Sequence, residues 1–396
     1  MDVRIINNST AKKYQTINKN LVLLTVDDTN QIGTFKGKKY YIYNINKNEK
    51  YEILEEYRKY EILTVVDCMY ESKYLYFTIC KTIENSKQSI EIVRYDYVNN
   101  VSEVIYGFND DIVLYDSDKK TKIFILDENY LIIQHEYLIE NRAGNYHGYF
   151  DFELSFYSIE NKESYIINEE NFTNNGIENI YVLAPNICAI KIGYDLFVDH
   201  RYNLLDADEC SAETIALINV KQLISELLLK KQKVYMNVID NCNHDKTFPY
   251  FKKIDDYLVY SKYNYIEKVE EVYFYNYMTK ERIKCSNKET YRSNDLLTPL
   301  IAFNKPYVLR VTEENYEFVG IEKNKVQFKL PKTYKIRNIC NGIIITEVVK
   351  KSFITGKNKN YIEVFQNFNQ DPIIKEAANY VSSIANSKDS LYIFTK

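Results

Sequence analysis

The sequence predicts an all-β fold built as an array of four-stranded sheets. Three observations carry this reading: a hairpin cassette that recurs along the whole chain, helical periodicity confined to one short segment, and chain ends that each supply only a fragment of a sheet. The cassette is a β-rich run ending in an aromatic or large apolar residue, then a small or polar residue, a short polar turn and a second β-rich run. Examples are YYIYNINKNEKYEIL from Tyr40, EIVRYDYVNNVSEVI from Glu91, ELSFYSIENKESYII from Glu153 and EVYFYNYMTKERIKC from Glu271. The residues that open the turns are Asn44, Asp96, Ser158, Asn219, Asn276, Gly320 and Gln366. They recur roughly every 45 to 60 residues, the period of a repeated sheet unit.

Alternation and enrichment in β-branched and aromatic residues mark the strands, with Asn, Asp, Lys and Gly at the turns. The first unit runs from about Lys13 to Tyr57, with LVLLTVDD as its second strand. The second reads EILTVVDCM, KYLYFTICK, IEIVRYDYV and VSEVIYGF. The third and fourth units span 121–168 and 178–240. In the fourth, Val220, Leu223, Ile224, Leu227 and Leu228 follow the apolar stripe of a helix, so a short helix over 221–231 is expected between the third and fourth strands, packed on the sheet edge. The fifth unit reads FPYFKKID, YLVYSKYN, EVYFYNYM and KERIKC, the sixth LTPLIAFN, YVLRVTEE, YEFVGIEK and KVQFKLP, and the seventh YKIRNIC, GIIITEVVK, YIEVFQNF and PIIKEA.

The ends then explain each other. DVRIIN precedes the first complete unit, and the tail from Tyr380 supplies two strands and stops. Pairing Val3–Ile6 with Ser390–Thr395 in one sheet removes the open edges that an unclosed array would expose. The aromatic–Asn/Asp–turn–Lys/Glu form of the cassette resembles the β-propeller superfamily, in particular the irregular blades of TolB-like and prolyl-oligopeptidase-type propellers. The resemblance covers nearly the whole chain and concerns architecture. It implies one closed propeller domain over 1–396, of eight blades by preference, or seven, with one blade shared by 1–8 and 380–396. Tryptophan is absent, so the WD dipeptide of WD40 repeats is too, and no functional residues carry over from any family.

Composition narrows the partners. The net charge of -4 lacks the basic face that nucleic acid requires. No apolar run is long enough to cross a bilayer, and no secretory signal is visible at MDVRIINNST. The seven cysteines (Cys68, Cys80, Cys188, Cys210, Cys242, Cys285 and Cys340) are odd in number, widely spaced and mostly inside apolar runs, which reads as free buried thiols in a cytoplasmic protein.

No GxSxG, P-loop, GxGxxG or HExxH motif occurs. Long loops on a rigid scaffold are where binding groups gather. The longest are 139–150, 194–213 and 240–248, and they follow second or fourth strands, so strand parity sends them to one end of the array. They carry Arg142, His147, Asp199, His200, Arg201 and His244, the candidate binding residues. His135, inside LIIQHEY, reads as an ordinary strand histidine. The expected function is a non-enzymatic binding or scaffold propeller that presents this polar face to a protein or peptide, with no cofactor, no resident metal and no membrane or nucleic-acid partner. The alternatives are a lyase or hydrolase, possibly metal-dependent, using these His, Asp and Arg side chains, and a carbohydrate or small-ligand binder using exposed tyrosines.

Overall fold

The computed structural model describes residues 2–7, 13–18, 20–29, 35–58, 60–66, 72–82, 88–110, 121–139, 149–167, 176–193, 213–230, 234–242, 246–264, 266–285, 298–303, 305–321, 325–340, 342–351, 358–367, 371–377, 381–386 and 390–395. After β1 (Asp2–Asn7), the strands fall into consecutive sets of four. Blade 1 is β2 (Lys13–Thr16), β3 (Leu21–Thr29), β4 (Phe35–Asn44) and β5 (Glu49–Ile53). Blade 2 is β6 (Glu61–Val66), β7 (Tyr74–Thr82), β8 (Gln88–Asp96) and β9 (Val101–Asp110). Blade 3 is β10 (Thr121–Ile125), β11 (Tyr130–Ile139), β12 (Tyr149–Ser158) and β13 (Glu163–Ile166). Blade 4 is β14 (Ile177–Ala184), β15 (Ile187–Ile192) and β16 (Glu213–Asn219), then α1 (Val220–Leu228), then β17 (Asn237–Cys242). Blade 5 is β18 (Lys246–Ile254), β19 (Tyr257–Asn264), β20 (Val269–Asn276) and β21 (Arg282–Lys284). Blade 6 is β22 (Thr298–Ala302), β23 (Lys305–Val311), β24 (Asn315–Gly320) and β25 (Val326–Pro331). Blade 7 is β26 (Tyr334–Cys340), β27 (Ile343–Lys351), β28 (Asn358–Phe365) and β29 (Ile374–Ala377). The last strands are β30 (Val381–Asn386) and β31 (Ser390–Thr395).

Seven sheets are therefore four-stranded antiparallel meanders in chain order. The preferred count of eight four-stranded blades is not confirmed: the remaining sheet has three strands, in the order β1-β31-β30. Its composition is the one the closure argument expects. β1 pairs with β31 over Asp2↔Ser390 to Asn7↔Thr395, and the pairing is parallel. The first unit of the previous section stops at Ile53, and Tyr57 belongs to a 3-10 turn over Glu55–Tyr57.

The chain divides into two compact units, 1–27 with 40–51 and 245–396, and 28–39 with 52–244. In the first, β22 lies beside β26, and β30 beside both β26 and β2, so first strands of neighbouring sheets are adjacent. The sheets pack face to face: Val22, Leu24 and Tyr43 of blade 1 meet Tyr392 and Phe394 of β31, and Ile345, Ile362 and Val364 of blade 7 meet Leu391 and Ile393. In the second, Tyr76 and Ile92 of blade 2 meet Ile123, Leu131, Ile133 and Tyr157 of blade 3, and Ile132, Leu154 and Phe156 of blade 3 meet Cys188, Ile190 and Ala216 of blade 4. Burial rises in the second and third strands and falls in the fourth: β27 begins with four buried residues, whereas β29 and β13 have none. That is the gradient of a propeller blade, whose fourth strand is the outer edge.

The cassette has a physical basis in its turns. Asn44, Asp96, Ser158 and Asn276 each accept a hydrogen bond from a backbone N–H two or three residues on: Lys47 (3.1 Å), Val98 and Asn99 (both 3.0 Å), Asn161 (3.3 Å), and Met278 and Thr279 (2.9 and 3.0 Å). These are side-chain-closed turns. Four residues after each opener the chain adopts positive φ: Asn48 at 56°, Asn100 at 57°, Lys162 at 56° and Lys280 at 61°. In blade 1 the tyrosine before the opener completes the device, the Tyr43 hydroxyl donating to Asn48 Oδ1 at 2.7 Å; Tyr95 does the same to Asn100 in blade 2.

The same residue type at Asn219 caps a helix. Its Oδ1 accepts from Gln222 N at 3.0 Å, so the turn becomes the first turn of α1. The helix starts one residue earlier and ends three earlier than expected, because Lys230 takes positive φ (49°) just after it. Val220, Leu223, Ile224 and Leu227 pack on blade 4 as the stripe requires, but Leu228 is 42% exposed. Of the cysteines, Cys80, Cys188, Cys242, Cys285 and Cys340 are buried thiols; Cys68 and Cys210 lie outside the described residues. Among the described residues no helix is long and apolar enough to cross a membrane.

Candidate functional site at the loop roots of blades 3 and 4

All six candidate binding residues, Arg142, His147, Asp199, His200, Arg201 and His244, lie outside the described residues. What the structure describes is where their segments are rooted. The first joins β11 to β12 and the second joins β15 to β16, so each follows a second strand. The third joins β17 to β18 and is shorter than expected, since 240–242 and 246–248 are strand. In an antiparallel meander, second-to-third and fourth-to-first connections leave from the same end. His135 is in β11 opposite Thr121, inside a strand as expected.

The root of the 194–212 segment is built around buried charge. β15 alternates Cys188, Ile190 and Ile192 into the core shared with blade 3, which puts Ala189 and Lys191 on the other face. Lys191 is 1% exposed. Its partner comes from a β-bulge: pairing steps from Ile177↔Ile192 to Asn179↔Lys191, and the extra residue, Glu178, places its carboxylate on the Lys191 ammonium. Bulges re-aim a side chain in this way next to functional sites. Glu213, 3% exposed, begins β16 two residues before Ile215, which pairs with Lys191, so the two buried charged residues share a face. Gly193 ends β15 with φ of 90°, and a Cβ there would lie 3.1 Å from both Cα and Cγ of Glu213. A glycine is required at this exit by both its conformation and its neighbour.

Blade 3 is tied to this root by a side chain that mimics a peptide group. Gln134, fully buried in β11, accepts from Ile177 N at 2.6 Å and donates to Ile177 O at 3.1 Å. The residue it grips is the one before the bulge. Gln134, Glu178, Lys191, Gly193 and Glu213 thus form a rigid base where the segment bearing Asp199, His200 and Arg201 leaves the sheet. Sequence reasoning missed this base. The signal was a lysine inside the apolar run ICAIKI, where both faces of the strand are otherwise apolar.

The chemistry on offer is positioning. The Lys191 ammonium is engaged by Glu178. Burial pushes the Tyr40 hydroxyl and the Cys340 thiol up to about 12, and the Tyr76 hydroxyl up as well, which withdraws them as nucleophiles at neutral pH. Asp96 goes the other way. Partial burial raises it, but the backbone and side-chain N–H groups of Asn99, the Lys73 ammonium and the Val98 N–H outweigh that and hold its carboxyl at about 2. It closes a turn.

No known family's sequence model matches the chain, and no curated protein matches it. Solved structures resemble it in fold. It is similar to an oligogalacturonate lyase in complex with manganese (TM-score 0.44, 11% identity, 89% of each chain). It is similar to an acylaminoacyl peptidase of Pyrococcus horikoshii (TM-score 0.44, 11% identity, 91% of this chain and 52% of the peptidase) and to the propeller domain of the trilobed protease of Pyrococcus furiosus (TM-score 0.42, 11% identity, 91% of this chain and 100% of that domain). The chain spans about half the length of the acylaminoacyl peptidase. What its own sheets establish is the fold: the chain is built as a β-propeller of four-stranded blades.

Proposed function

We propose that the chain is a binding propeller that holds a protein or peptide on the loops 139–150, 194–213 and 240–248. The observation that carries this reading is the base formed by Gln134, Glu178, Lys191, Gly193 and Glu213. Buried charge at a strand end is costly and stabilises little by itself. Its location at the foot of the longest polar loop fits a scaffold that fixes a recognition segment. Preorganised loops on rigid sheets bind with less ordering cost than free ones.

The test is substitution of Arg142, His147, Asp199, His200, Arg201 and His244 together by Ala, with affinity measured by interferometry against a partner captured from the native host. Loss of about tenfold or more in affinity, with unfolding unchanged, is expected, since surface truncations cost within about 0.5 kcal/mol each. Unchanged affinity, with loss on substitution of the opposite loops, would overturn the reading.

A further inference from the structure

We propose that the outer edge of blade 3 is a second docking site, for an extended acidic and aliphatic segment of a partner protein that adds to β13 as a further strand. It goes beyond the loop-face reading and uses none of its residues. β13 is the last strand of its sheet. Ile167 N donates to Leu154 O at 2.7 Å, which fixes which positions face β12. Since β12 and β13 pair antiparallel with Phe156↔Tyr165 and Ser158↔Glu163, the bonded positions are 163, 165 and 167. The N–H and C=O groups of Ser164 and Ile166 therefore point outward, away from the sheet. Such an edge is a template for another strand.

Both faces of that edge carry a groove. On one, a cavity of about 430 Å3 lies between the Phe156 and Tyr165 rings and the C-terminal end of α1, at Leu227 and Lys230. On the other, a cavity of about 310 Å3 lies between Tyr157 and the edge of β9 at Val104 and Tyr106, with Lys162 at its rim. Ser164 lines both. An added strand alternates its side chains between the two faces, so successive residues would enter one groove and then the other. This is strand addition, in which the main chain supplies affinity and alternate pockets supply specificity.

The lining decides the occupant. Its walls are aromatic and aliphatic, and Ile166, which lines the first groove, is 65% exposed. Among the described residues, the charged ones lining the two grooves are Lys230 and Lys162, one in each, and no carboxylate lines either. The Lys230 ammonium sits 5.6 Å from the centre of the Tyr165 ring. Each face thus takes one aliphatic and one acidic side chain. Because consecutive residues alternate between faces, the fitting segment carries two adjacent aliphatic residues next to two adjacent acids.

A random-peptide display library selected on the full chain tests this, with the selected peptides resynthesised and measured by fluorescence anisotropy. Peptides enriched in adjacent aliphatic and adjacent acidic residues are expected. Ile166→Pro removes one outward N–H and leaves the β12 ladder intact, a place where an edge strand tolerates proline; it should weaken binding about tenfold. Lys162→Glu with Lys230→Glu should weaken it by a similar factor, and peptides with lysine in place of the acids should recover it on that variant. The recovery arm decides the matter if Ile166→Pro does not fold. No enrichment of this composition, or affinity indifferent to the charge reversal, would overturn the proposal.

Discussion

Replacing Gln134 tests the coupling of blades 3 and 4 at a single side chain. Its amide makes two hydrogen bonds to one residue, Ile177, at 2.6 and 3.1 Å, and both residues are fully buried. Gln134→Leu fills a similar volume and removes both bonds. The Ile177 N–H and C=O each lose their partner at about 1–3 kcal/mol apiece, about 2–6 kcal/mol together, and the added apolar surface returns about 1–2 kcal/mol, so a net loss of about 1–4 kcal/mol is expected. Gln134→Glu separates electrostatics from packing. One carboxylate oxygen can still accept from Ile177 N, but the other faces the Ile177 carbonyl and must be protonated to donate. The native state then binds that proton more tightly than the unfolded chain, whose carboxyl titrates near 4.3. The variant should match wild type most closely below about pH 4 and lose stability as pH rises through the raised native value. Urea unfolding followed by far-UV circular dichroism suits a chain without tryptophan, and hydrogen exchange at Ile177 localises the effect. A Gln134→Leu midpoint equivalent to less than about 0.5 kcal/mol, or a Gln134→Glu variant insensitive to pH, would refute the reasoning.

Gly193→Ala should destabilise by about 2 kcal/mol in thermal unfolding, because it adds left-handed strain and a contact at 3.1 Å with Glu213. Asp96→Ala should cost about 1–2 kcal/mol at neutral pH through loss of the turn acceptor, while Asp96→Asn keeps most of it. With the native carboxyl held at about 2 and the unfolded value near 3.9, the advantage of the charged form is full above about pH 4 and lost as pH falls through 2, which an acid titration of wild type against Asp96→Asn reads directly. Deleting residues 1–8 should lower the melting temperature by several degrees, since β31 loses its partner and the half-buried Ile5 and Ile6 leave their clusters; an unchanged value would mean the three-stranded sheet does not depend on β1.

The blades were legible because each is local. A four-stranded meander is written in consecutive residues, so alternation and turn chemistry specify it without knowledge of distant contacts, and all seven sets of four appear where the cassette places them. The pairing of β1 with β31 is the longest-range strand pairing among the described residues, and it was readable only because each end supplied strands that no neighbouring unit used. Its parallel sense was not readable, since pattern fixes faces and not direction. The base under the 194–212 segment escaped because it depends on a bulge. The one-residue shift at Glu178 breaks the alternation from which faces are inferred, and only that shift brings the carboxylate to Lys191. The two grooves beside β13 escaped for another reason: they are spaces between elements of different blades and α1.

The turns also explain how a chain with only 10 glycines makes so many reversals. Among the described residues, ten non-glycine residues adopt positive φ and two glycines do. Left-handed backbone costs a side-chain-bearing residue about 1 kcal/mol or more. At Asn48 and Asn100 that strain is offset locally, by the opener's bonds to the turn N–H groups and by the tyrosine hydroxyl that holds the strained asparagine. The hydroxyl bond needs tyrosine before the opener and asparagine four residues after it, which ties the aromatic end of one strand to the start of the next. At Lys162 the same turn holds a lysine, and that lysine stands at the rim of the groove beside β13. Blade 5 has a lysine, Lys280, at the same turn position, so both asparagine and lysine fill the left-handed place of this turn. In blade 3 the tyrosine before the opener, Tyr157, donates instead to Ile105 O of blade 2 at 2.6 Å, so its hydroxyl ties two neighbouring blades together rather than closing its own turn.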